Sequence, residues 1–234
     1  MQAMETNYLT NQKYSSQLQI DFAYNSSAIE NNPLSFAEVK SFLVDGIITK
    51  NTSVTHFFEI YNHKDLWSNF EQWIDDGKEL TVNLVREIHY RLMNGIIKDA
   101  GTFKVTNNAI SGANFQTTPA YQISYVVKDW VDNYNYCMSL AKSDEEKLKI
   151  ILDAHIKFER MHPFSDGNGR TGRTIMLFSC FKEGITPFII PVSDKNEYLA
   201  FLEKEDVDGY LEKVKFYQGT EVKRFLDTEY DEIF

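Results

Sequence analysis

The 234-residue sequence contains few residues that interrupt regular secondary structure or cross-link a chain: five prolines, eleven glycines and two cysteines. Low Pro and Gly content argues against a linker-rich or fibrous chain, and 43% hydrophobic residues over this length suit one globular domain with a sizeable core. Cys137 and Cys180 lie in apolar helical patterns without CxxC or metal-ligand spacing. We therefore expect buried thiols in a reducing compartment, with no disulfide, and a cytoplasmic protein.

Long hydrophobic runs and an excess of positive charge are also missing. The uncharged apolar stretches are far shorter than a membrane span, and the N-terminal "MQAMETNYLTNQ" lacks the features of a signal peptide. The formal net charge of −10 argues against a basic face for nucleic acid. We expect neither a membrane nor a nucleic-acid partner, although a local cluster of arginines can still hold the phosphates of a nucleotide.

Helical hydrophobic patterns dominate the chain, and the alternation typical of strands is scarce. Capping signals precede several of the helical patterns, at Ser35, Thr81 and Ser143. Residues 101–120, "GTFKVTNNAISGANFQTTPA", are different because they are rich in Gly, Asn and Thr, with short β-prone pieces. This composition predicts a two-stranded ribbon with a loop. The predicted fold class is all-α, or nearly so, with one short β-hairpin.

One short stretch, "MHPFSDGNGRTGR" at residues 161–173, concentrates histidine, aspartate, asparagine, glycine and arginine. Pro163 predicts that a helix ends at His162, because the residue before a proline avoids the helical region. Gly167 and Gly169 let the backbone turn and approach a ligand closely, and the next helix then begins with unpaired N–H groups. A helix N-terminus of this kind is a favourable seat for phosphate.

The side chains of this stretch suit phosphoryl or nucleotidyl transfer, which depends mostly on positioning and charge neutralisation. Arg170 and Arg173 share one side of the second helix because they are three residues apart. Asp166 offers the carboxylate oxygen that Mg²⁺ prefers beside phosphates, and His162 is the nearby group able to act as a base near neutral pH. The alternative is a Gly-Asn turn with solvated arginines, which does not account for the whole set.

The stretch "HPFSDGNGRTGR" resembles, at every defined position, the Fic signature HxFx(D/E)GNGRxxR. The resemblance implies an all-α Fic fold and Mg²⁺-dependent transfer of AMP from ATP to a Ser, Thr or Tyr hydroxyl of a target protein. It implies that His162 is the catalytic base and that Asp166 holds Mg²⁺. The nucleotide-binding residues that it implies within the stretch are Gly167, Asn168, Gly169, Arg170, Thr171, Gly172 and Arg173.

The likeness extends over about residues 20–210. Residues 101–120 look like the family's flap, whose edge docks the target segment by strand addition. The flap residues implied to lie nearest the nucleotide and the target are Ile110, Ser111 and Gly112. Tyr198 occupies the place of a family tyrosine that contacts the nucleotide. The sequence departs from relatives at Lys104, where they usually have Arg, and at Asp206, where a relative has Asn.

A second pattern, "SSAIEN" at residues 26–31, lies near the N-terminus. Apolar spacing predicts a helix that runs to Glu30, where a glutamate faces the negative end of the helix dipole and destabilises the helix unless a cation compensates. An exposed glutamate that tolerates this position is the alternative. The pattern is similar to the family's inhibitory motif (S/T)xxxE(G/N), with Ser26, Glu30 and Asn31 in the defined places. The resemblance implies that Glu30 pairs with Arg173 and keeps it from the γ-phosphate of ATP.

We divide the chain into an N-terminal segment with the inhibitory helix, residues 1–35, and a Fic catalytic core with C-terminal helices, residues 36–234. We expect a self-inhibited protein adenylyltransferase that modifies a target protein and itself, with ATP as cosubstrate and Mg²⁺ as cofactor. Two alternatives stay open: a de-AMPylase in which Glu30 aligns a water molecule, and a nucleotide-sensing module without catalysis. Members of the family often dimerise, and the sequence leaves a homodimer open.

Overall fold

The computed structural model describes residues 8–48, 51–110 and 114–233. Helices account for most of that part of the chain: α1 Gln12–Ile29, α2 Phe36–Asp45, α3 Val54–Asp75, α4 Val82–Met93, α5 Ile123–Leu140, α6 Asp144–Met161, α7 Asn168–Lys182, α8 Lys195–Lys204 and α9 Val207–Ile233. Short 3₁₀ turns, Ala120–Gln122 and Val192–Asp194, precede α5 and α8. None of these described helices is both long enough and apolar enough to cross a bilayer.

The helix starts follow from local side-chain chemistry, as the sequence predicts. Ser35 and Glu38 form the complete capping box at the start of α2. Thr81 accepts a hydrogen bond from the N–H of Leu84, and Ser143 caps α6 in the same way. Each cap satisfies a backbone donor that the first turn leaves without an intrahelical partner.

Helix α7 runs through the middle of the molecule. Every residue from 170 to 181 is buried, and α1, α3, α4 and α6 all pack against this helix. Its far end is held in an aromatic cluster in which Phe178 packs with Phe70 and Trp73. A helix buried all round in a close-packed core has little freedom to move. The start of α7, which carries the GNGR residues, is therefore held in a fixed position.

The predicted β-hairpin at residues 101–120 is not formed within residues 101–110 and 114–120, where the chain is irregular and contains no strand. Contacts with the loop between α6 and α7, residues 162–167, here called the motif loop, explain the difference. The N–H of Lys104 donates to the carbonyl of Pro163, and the Asn108 amide donates to the carbonyl of Phe164. Thr117 Oγ1 closes the segment on the Asn108 carbonyl at 2.7 Å. The Lys104 N–H and the Asn108 carbonyl, which a hairpin could pair, are used in these contacts.

Both cysteines are free. Cys180 is fully buried in α7, as predicted, whereas Cys137 is only half-buried on α5, so the prediction of a buried thiol is wrong there. Apolar spacing along α5 put Cys137 on the border of the buried stripe, where its neighbour Met138 takes the inner position.

Candidate functional site

His162 stands at the C-terminal end of α6 in a left-handed conformation, φ 52° and ψ 62°. Its Nδ1 lies 3.3 Å from the carbonyl oxygen of Glu159. A carbonyl can only accept, so Nδ1 carries the proton and Nε2 keeps its lone pair. Burial lowers the pKa of His162 below its ordinary value, outweighing the favourable Glu159 carbonyl. The ring is therefore neutral near pH 7 and able to take a proton at Nε2.

The loop after His162 is fixed by His89 of α4 and by Phe164. The two rings stack with centroids 3.6 Å apart, and Phe164 is fully buried. His89 Nδ1 accepts a hydrogen bond from the N–H of Gly101, which leaves Nε2 to donate to the carbonyl of Asp166 at 3.0 Å. Burial lowers the pKa of His89 to about 4, which keeps it in this neutral form.

The first turn of α7 has the features of an anion-binding site, here called the anion seat. Gly167 precedes it with φ 73°, and no side chain caps its first turn. Asn168 does not take the capping role, because its side chain is bonded to the backbone of Phe164. Its Oδ1 accepts a hydrogen bond from the Phe164 N–H at 2.9 Å, and its Nδ2 donates to the Phe164 carbonyl at 3.0 Å. The N–H groups of the first turn, unpaired within the helix, together with the helix dipole favour a negative group at this end.

The carboxylate of Glu30 lies over Gly169, at the edge of that seat. A Cβ built at Gly169 would clash with Glu30 Oε1 and would lie 3.0 Å from Arg173 Nη1. Oε1 accepts a hydrogen bond from Arg173 Nη2 at 2.7 Å. The pKa of Glu30 is lowered overall, because the effect of Arg173 outweighs the burial that would raise it. The pair is ionic, and it lies directly over the first turn of α7.

Arg173 is held by the end of α1 through three contacts. Besides Glu30, its Nε donates to Ser26 Oγ at 3.1 Å and its Nη2 to the Ser26 carbonyl at 2.8 Å. The guanidinium is 3% exposed. A cation at a helix C-terminus compensates the helix dipole, so Arg173 explains how Glu30 is tolerated in its position as the C-cap of α1.

Two further links hold the segment that follows α1. Asn31, in a left-handed conformation at φ 69°, accepts a hydrogen bond from Lys195 Nζ at 2.9 Å. Asn32 donates to Glu59 Oε2 at 2.6 Å, and the other oxygen of Glu59 accepts from Arg170 Nη1 at 2.9 Å. Glu59 of α3 thus joins the segment after α1 to the first turn of α7.

Part of this set borders a cavity of about 390 Å³, a size that suits a small-molecule ligand. Its polar lining consists of Glu30, Asn31, Glu159, His162, Gly169, Arg173, Lys195 and Glu203. Its apolar lining consists of Ile29, Ile110, Phe115, Tyr198, Leu199 and Leu202. A cavity with both kinds of lining suits a ligand that has a charged end and a ring system, as a nucleotide does.

The remaining predicted residues lie at different distances from this space. Tyr198 lines the cavity, is 2% exposed, and bonds through its hydroxyl to His155 Nε2 at 2.8 Å. Thr171 and Gly172 are buried on other sides of α7. Ser111 and Gly112 fall outside the described residues. Asp206 serves locally by accepting a hydrogen bond from the N–H of Gly209 near the start of α9.

Asp166 is the predicted magnesium ligand. Its side chain is 64% exposed, and Oδ1 lies 3.8 Å from Arg170 Nη2 and accepts a hydrogen bond from the N–H of Gly167. No group of three or more His, Cys, Asp or Glu residues that could hold a metal occurs in the part of the chain that the structure describes. A single exposed carboxylate fits Mg²⁺ that is carried mainly by phosphates and water, the mode this ion prefers.

Three residues of the site were not predicted. The sequence patterns do not single out His89, Glu59 or Glu159. Glu159 lies one helical turn before His162 and lines the same cavity. That spacing was visible in the sequence, whereas the roles of His89 and Glu59 depend on contacts between distant segments.

Residues 79–180, from just before α4 to near the end of α7, match the Fic/DOC family. This part of the chain is therefore similar to the Fic/DOC family. The match includes the loop and helix that form the polar side of the cavity, while Glu30 lies before it and Tyr198 after it.

Curated relatives are similar over a wider range. Protein adenylyltransferase fic-1 of Caenorhabditis elegans is 26% identical over 211 residues, and protein adenylyltransferase Fic of Drosophila willistoni is 27% identical over 183 residues. The alignments cover 88% and 77% of this chain but only 41% and 35% of those proteins. The chain thus spans well under half the length of these relatives.

Solved structures give the same fold. A glutamate-to-glycine variant of a Fic-1 fragment from C. elegans has a TM-score of 0.79 at 21% identity, covering 97% of this chain and 67% of that one. A Fic domain containing signalling protein from Bacteroides thetaiotaomicron has a TM-score of 0.75 at 21% identity, covering 94% and 88%. The fold of this chain is the helical Fic fold.

Proposed function

We propose that this protein is a self-inhibited protein adenylyltransferase, which transfers AMP from ATP to a hydroxyl of a target protein and of itself. The observation that carries the proposal is the single cavity bordered by His162, the open start of α7 and Arg173. A base, an anion seat and a cation are the parts that nucleotidyl transfer requires. The relatives similar over most of this chain are named protein adenylyltransferases.

In this proposal His162 is the catalytic base. Its Nε2 accepts the proton of the attacking hydroxyl, while the Glu159 carbonyl holds Nδ1–H and so fixes the ring. The backbone N–H groups at Gly167, Asn168 and Gly169 receive the phosphates, which for Gly167 requires that its hydrogen bond to Asp166 Oδ1 is released. Mg²⁺ bound by Asp166 would neutralise phosphate charge, and Arg170, 3.8 Å from Asp166, would orient that carboxylate. The base and ribose of ATP occupy the apolar side of the cavity beside Ile110 and Tyr198.

The proposed inhibition is a competition between two anions for one site. The Glu30 carboxylate lies over Gly169 and pairs with Arg173, so a terminal phosphate aimed at this arginine meets a negative charge already in place. ATP then binds with its phosphates displaced from the catalytic base, His162. Removing the Glu30 carboxylate frees both the helix N-terminus and the guanidinium.

The segment 101–120 is the proposed docking site for the target protein. Ile110 lines the cavity, so an extended peptide laid along this segment would pass close to His162. Val105, in the same segment, is 86% exposed and available for contact with such a peptide. Auto-modification requires a hydroxyl of a second copy, or of a mobile part of the same chain, to reach the same place.

The reverse reaction is the second candidate function. The Glu30 side chain is 38% exposed and faces the cavity that His162 also borders. A carboxylate in that place can align a water molecule for attack on an AMP-modified hydroxyl. Incubating an AMP-modified target with Mg²⁺ and no ATP tests this directly. Release of AMP by the parent protein, and loss of this release in Glu30→Gln, would support the reverse reaction.

The proposed forward reaction is tested by intact mass spectrometry. The Glu30→Gly variant is incubated with Mg²⁺ and each nucleoside triphosphate in turn, and the mass of one AMP is expected on the protein with ATP. Glu30→Gly/His162→Ala is the control and should stay unmodified. If Glu30→Gly binds nucleotide but gains no mass from any triphosphate, the chain is a nucleotide-sensing module and the proposal is wrong.

A further inference from the structure

A second carboxyl group faces the same cavity as Glu30 and has no part in the reaction described above. Glu159, on α6, is 7% exposed and lines the cavity together with Glu30, His162 and Arg173. Its Oε1 is fully buried and has no hydrogen-bond partner among the described residues. Buried carboxyl oxygens are normally paired, so this one needs a reason.

The carboxyl group of Glu159 lies directly against α7, beside Arg173. A Cβ at position 172 would clash with Glu159 Oε1 and would lie 2.9 Å from His155 Nδ1, which is also buried without a partner. The glycine therefore leaves room for two polar atoms next to the backbone that carries Arg173. This arrangement keeps a carboxyl group near the guanidinium without bonding it in the inhibited state.

Burial raises the pKa of Glu159 to about 8; Arg173 acts in the opposite direction, and the charge of Glu30 raises it further. Glu159 is therefore largely protonated near pH 7 while Glu30 holds Arg173. The charged and titratable groups around Glu159 and its cavity come from α1, α6, α7, α8 and α9, and they are Glu30, His155, His162, Arg173, Lys195, Tyr198, Glu203 and Tyr210. Both histidines have lowered pKa values, and Lys195 is half-buried and donates to Asn31, so Arg173 is the buried cation of this set.

We propose that Glu159 is a positioning residue for Arg173. The Glu159 carboxylate becomes the counter-ion of Arg173 when Glu30 withdraws, and it releases the arginine again when the terminal phosphate of the nucleotide binds. This inference rests on the proposed function for the role of the phosphate. When Glu30 leaves, the buried guanidinium keeps its neutral partner Ser26 but has no counter-ion, which is strongly unfavourable. Glu159 ionises, its proton passes to solvent, and the new carboxylate pairs with Arg173. When a phosphate takes Arg173, Glu159 takes a proton back.

The first test is a thermal-unfolding cycle on the full chain without nucleotide. Glu159→Gln keeps the shape of the side chain and removes its ability to ionise. In the parent sequence we expect it to change Tm by about 2 °C or less, or to raise it, because a neutral group replaces a neutral group. In the Glu30→Gly background we expect it to lower Tm by roughly 5 °C or more, because Arg173 loses its last counter-ion.

Glu221→Gln is the matched control. Glu221 is a buried glutamate with a raised pKa, but it lies elsewhere, where it accepts a hydrogen bond from Tyr14 and pairs with Arg224. Its effect on Tm should be the same with and without Glu30. Equal effects of Glu159→Gln in both backgrounds would overturn the proposal.

The second test does not need the double variant to fold. Carbon-13 NMR of labelled glutamate side chains, with Glu159→Gln to assign the resonance, follows the titration of Glu159 in the parent sequence and in Glu30→Gly. The midpoint should fall by at least one pH unit in Glu30→Gly, and an unchanged midpoint would contradict the proposal. Neither test uses nucleotide or transfer, so this proposal and the proposed function can fail separately.

Discussion

Two histidines lie on either side of the motif loop, and they differ in what their ring nitrogens are free to do. Both nitrogens of His89 are engaged, one with the Gly101 N–H and one with the Asp166 carbonyl. His162 has one nitrogen held by the Glu159 carbonyl and the other free toward the cavity. Residue type alone does not separate a structural histidine from a base, whereas a free nitrogen on a ring that borders the cavity does.

His162→Ala tests the role of the base. In the Glu30→Gly background we expect AMP transfer to fall by at least 10²-fold, because general base catalysis contributes about that much. Affinity for ATP, measured by calorimetry, should change by less than about threefold, since the anion seat and Arg173 are intact. Persistent transfer in the variant would show that another group takes the proton.

The pH profile of the Glu30→Gly variant follows from the same residue. The pKa of His162 lies below its ordinary 6.5 because of burial, so the base stays neutral throughout the physiological range. The midpoint of the acidic decline of kcat/KM should lie below pH 6.5. A decline that is already complete at pH 6.5 would contradict the assignment.

His89→Phe tests the support of the motif loop. Phenylalanine preserves the stack on Phe164 but leaves the Gly101 N–H and the Asp166 carbonyl without their partner. We expect the free energy of unfolding to fall by about 2 kcal/mol in urea titrations. Transfer by the Glu30→Gly variant should fall as the loop loosens. His56→Phe, at a half-buried position near the start of α3, is the control and should leave both quantities nearly unchanged.

At the scale of elements, the C-terminal end of α1 is fastened to three others. Arg173 of α7 holds Ser26 and Glu30, Glu59 of α3 holds Asn32, and Lys195 of α8 holds Asn31. These contacts all fall within seven consecutive residues. The C-terminal end of α1, to which we assign the inhibition, is therefore positioned by the surrounding helices as well as by its own ion pair.

Asn32→Ala weakens this fastening without touching the ion pair. The loss of its hydrogen bond to the Glu59 carboxylate should shift the balance toward a withdrawn Glu30 by roughly 1.4 kcal/mol, which is about tenfold in transfer rate. Ser35→Ala is the control, because it removes the cap of α2 three residues away and lowers stability by a similar amount. Equal transfer rates for the two variants would show that Asn32 acts only through stability.

The elements show where sequence reasoning succeeds and where it stops. The starts of α2, α4 and α6 could be predicted because their caps are local, and the end of α6 at His162 follows from one proline. The segment 101–120 could not, because the Lys104 N–H and the Asn108 side chain are bonded to the motif loop, more than fifty residues away. Arg170 shows the same limit. Its spacing put it beside Arg173, but Glu59, from a separate helix, draws its side chain away from the cavity.

At the scale of the whole molecule, α1 is part of the core. Leu18 and Phe22 are buried in the main cluster, and the other end of the helix is tied to α9 through Tyr14 with Glu221 and Asp21 with Arg224. A helix buried along its length does not leave readily. Relief of inhibition is therefore expected at its C-terminal end, by movement of Glu30 and the residues that follow.

The pH dependence of global stability carries the signature of Glu159. Its pKa is raised to about 8, so between the ordinary 4.5 and about 8 the folded state binds more protons than the unfolded state. Stability then declines as pH rises through that window, by up to about 1.4 kcal/mol per pH unit from this group. Urea unfolding of the parent and of Glu159→Gln from pH 5 to 8 should give curves whose difference has this slope. Parallel curves would contradict it.

The central claim is that one carboxylate, Glu30, keeps Arg173 and the start of α7 from the phosphates of ATP. The most direct measurement is the rate of incorporation of labelled AMP into the protein, with Mg²⁺ and labelled ATP, for the parent sequence and for Glu30→Gly. We expect at least a tenfold higher rate in Glu30→Gly, and none in Glu30→Gly/His162→Ala. An equal rate in the parent and Glu30→Gly, with both binding ATP, would contradict the account.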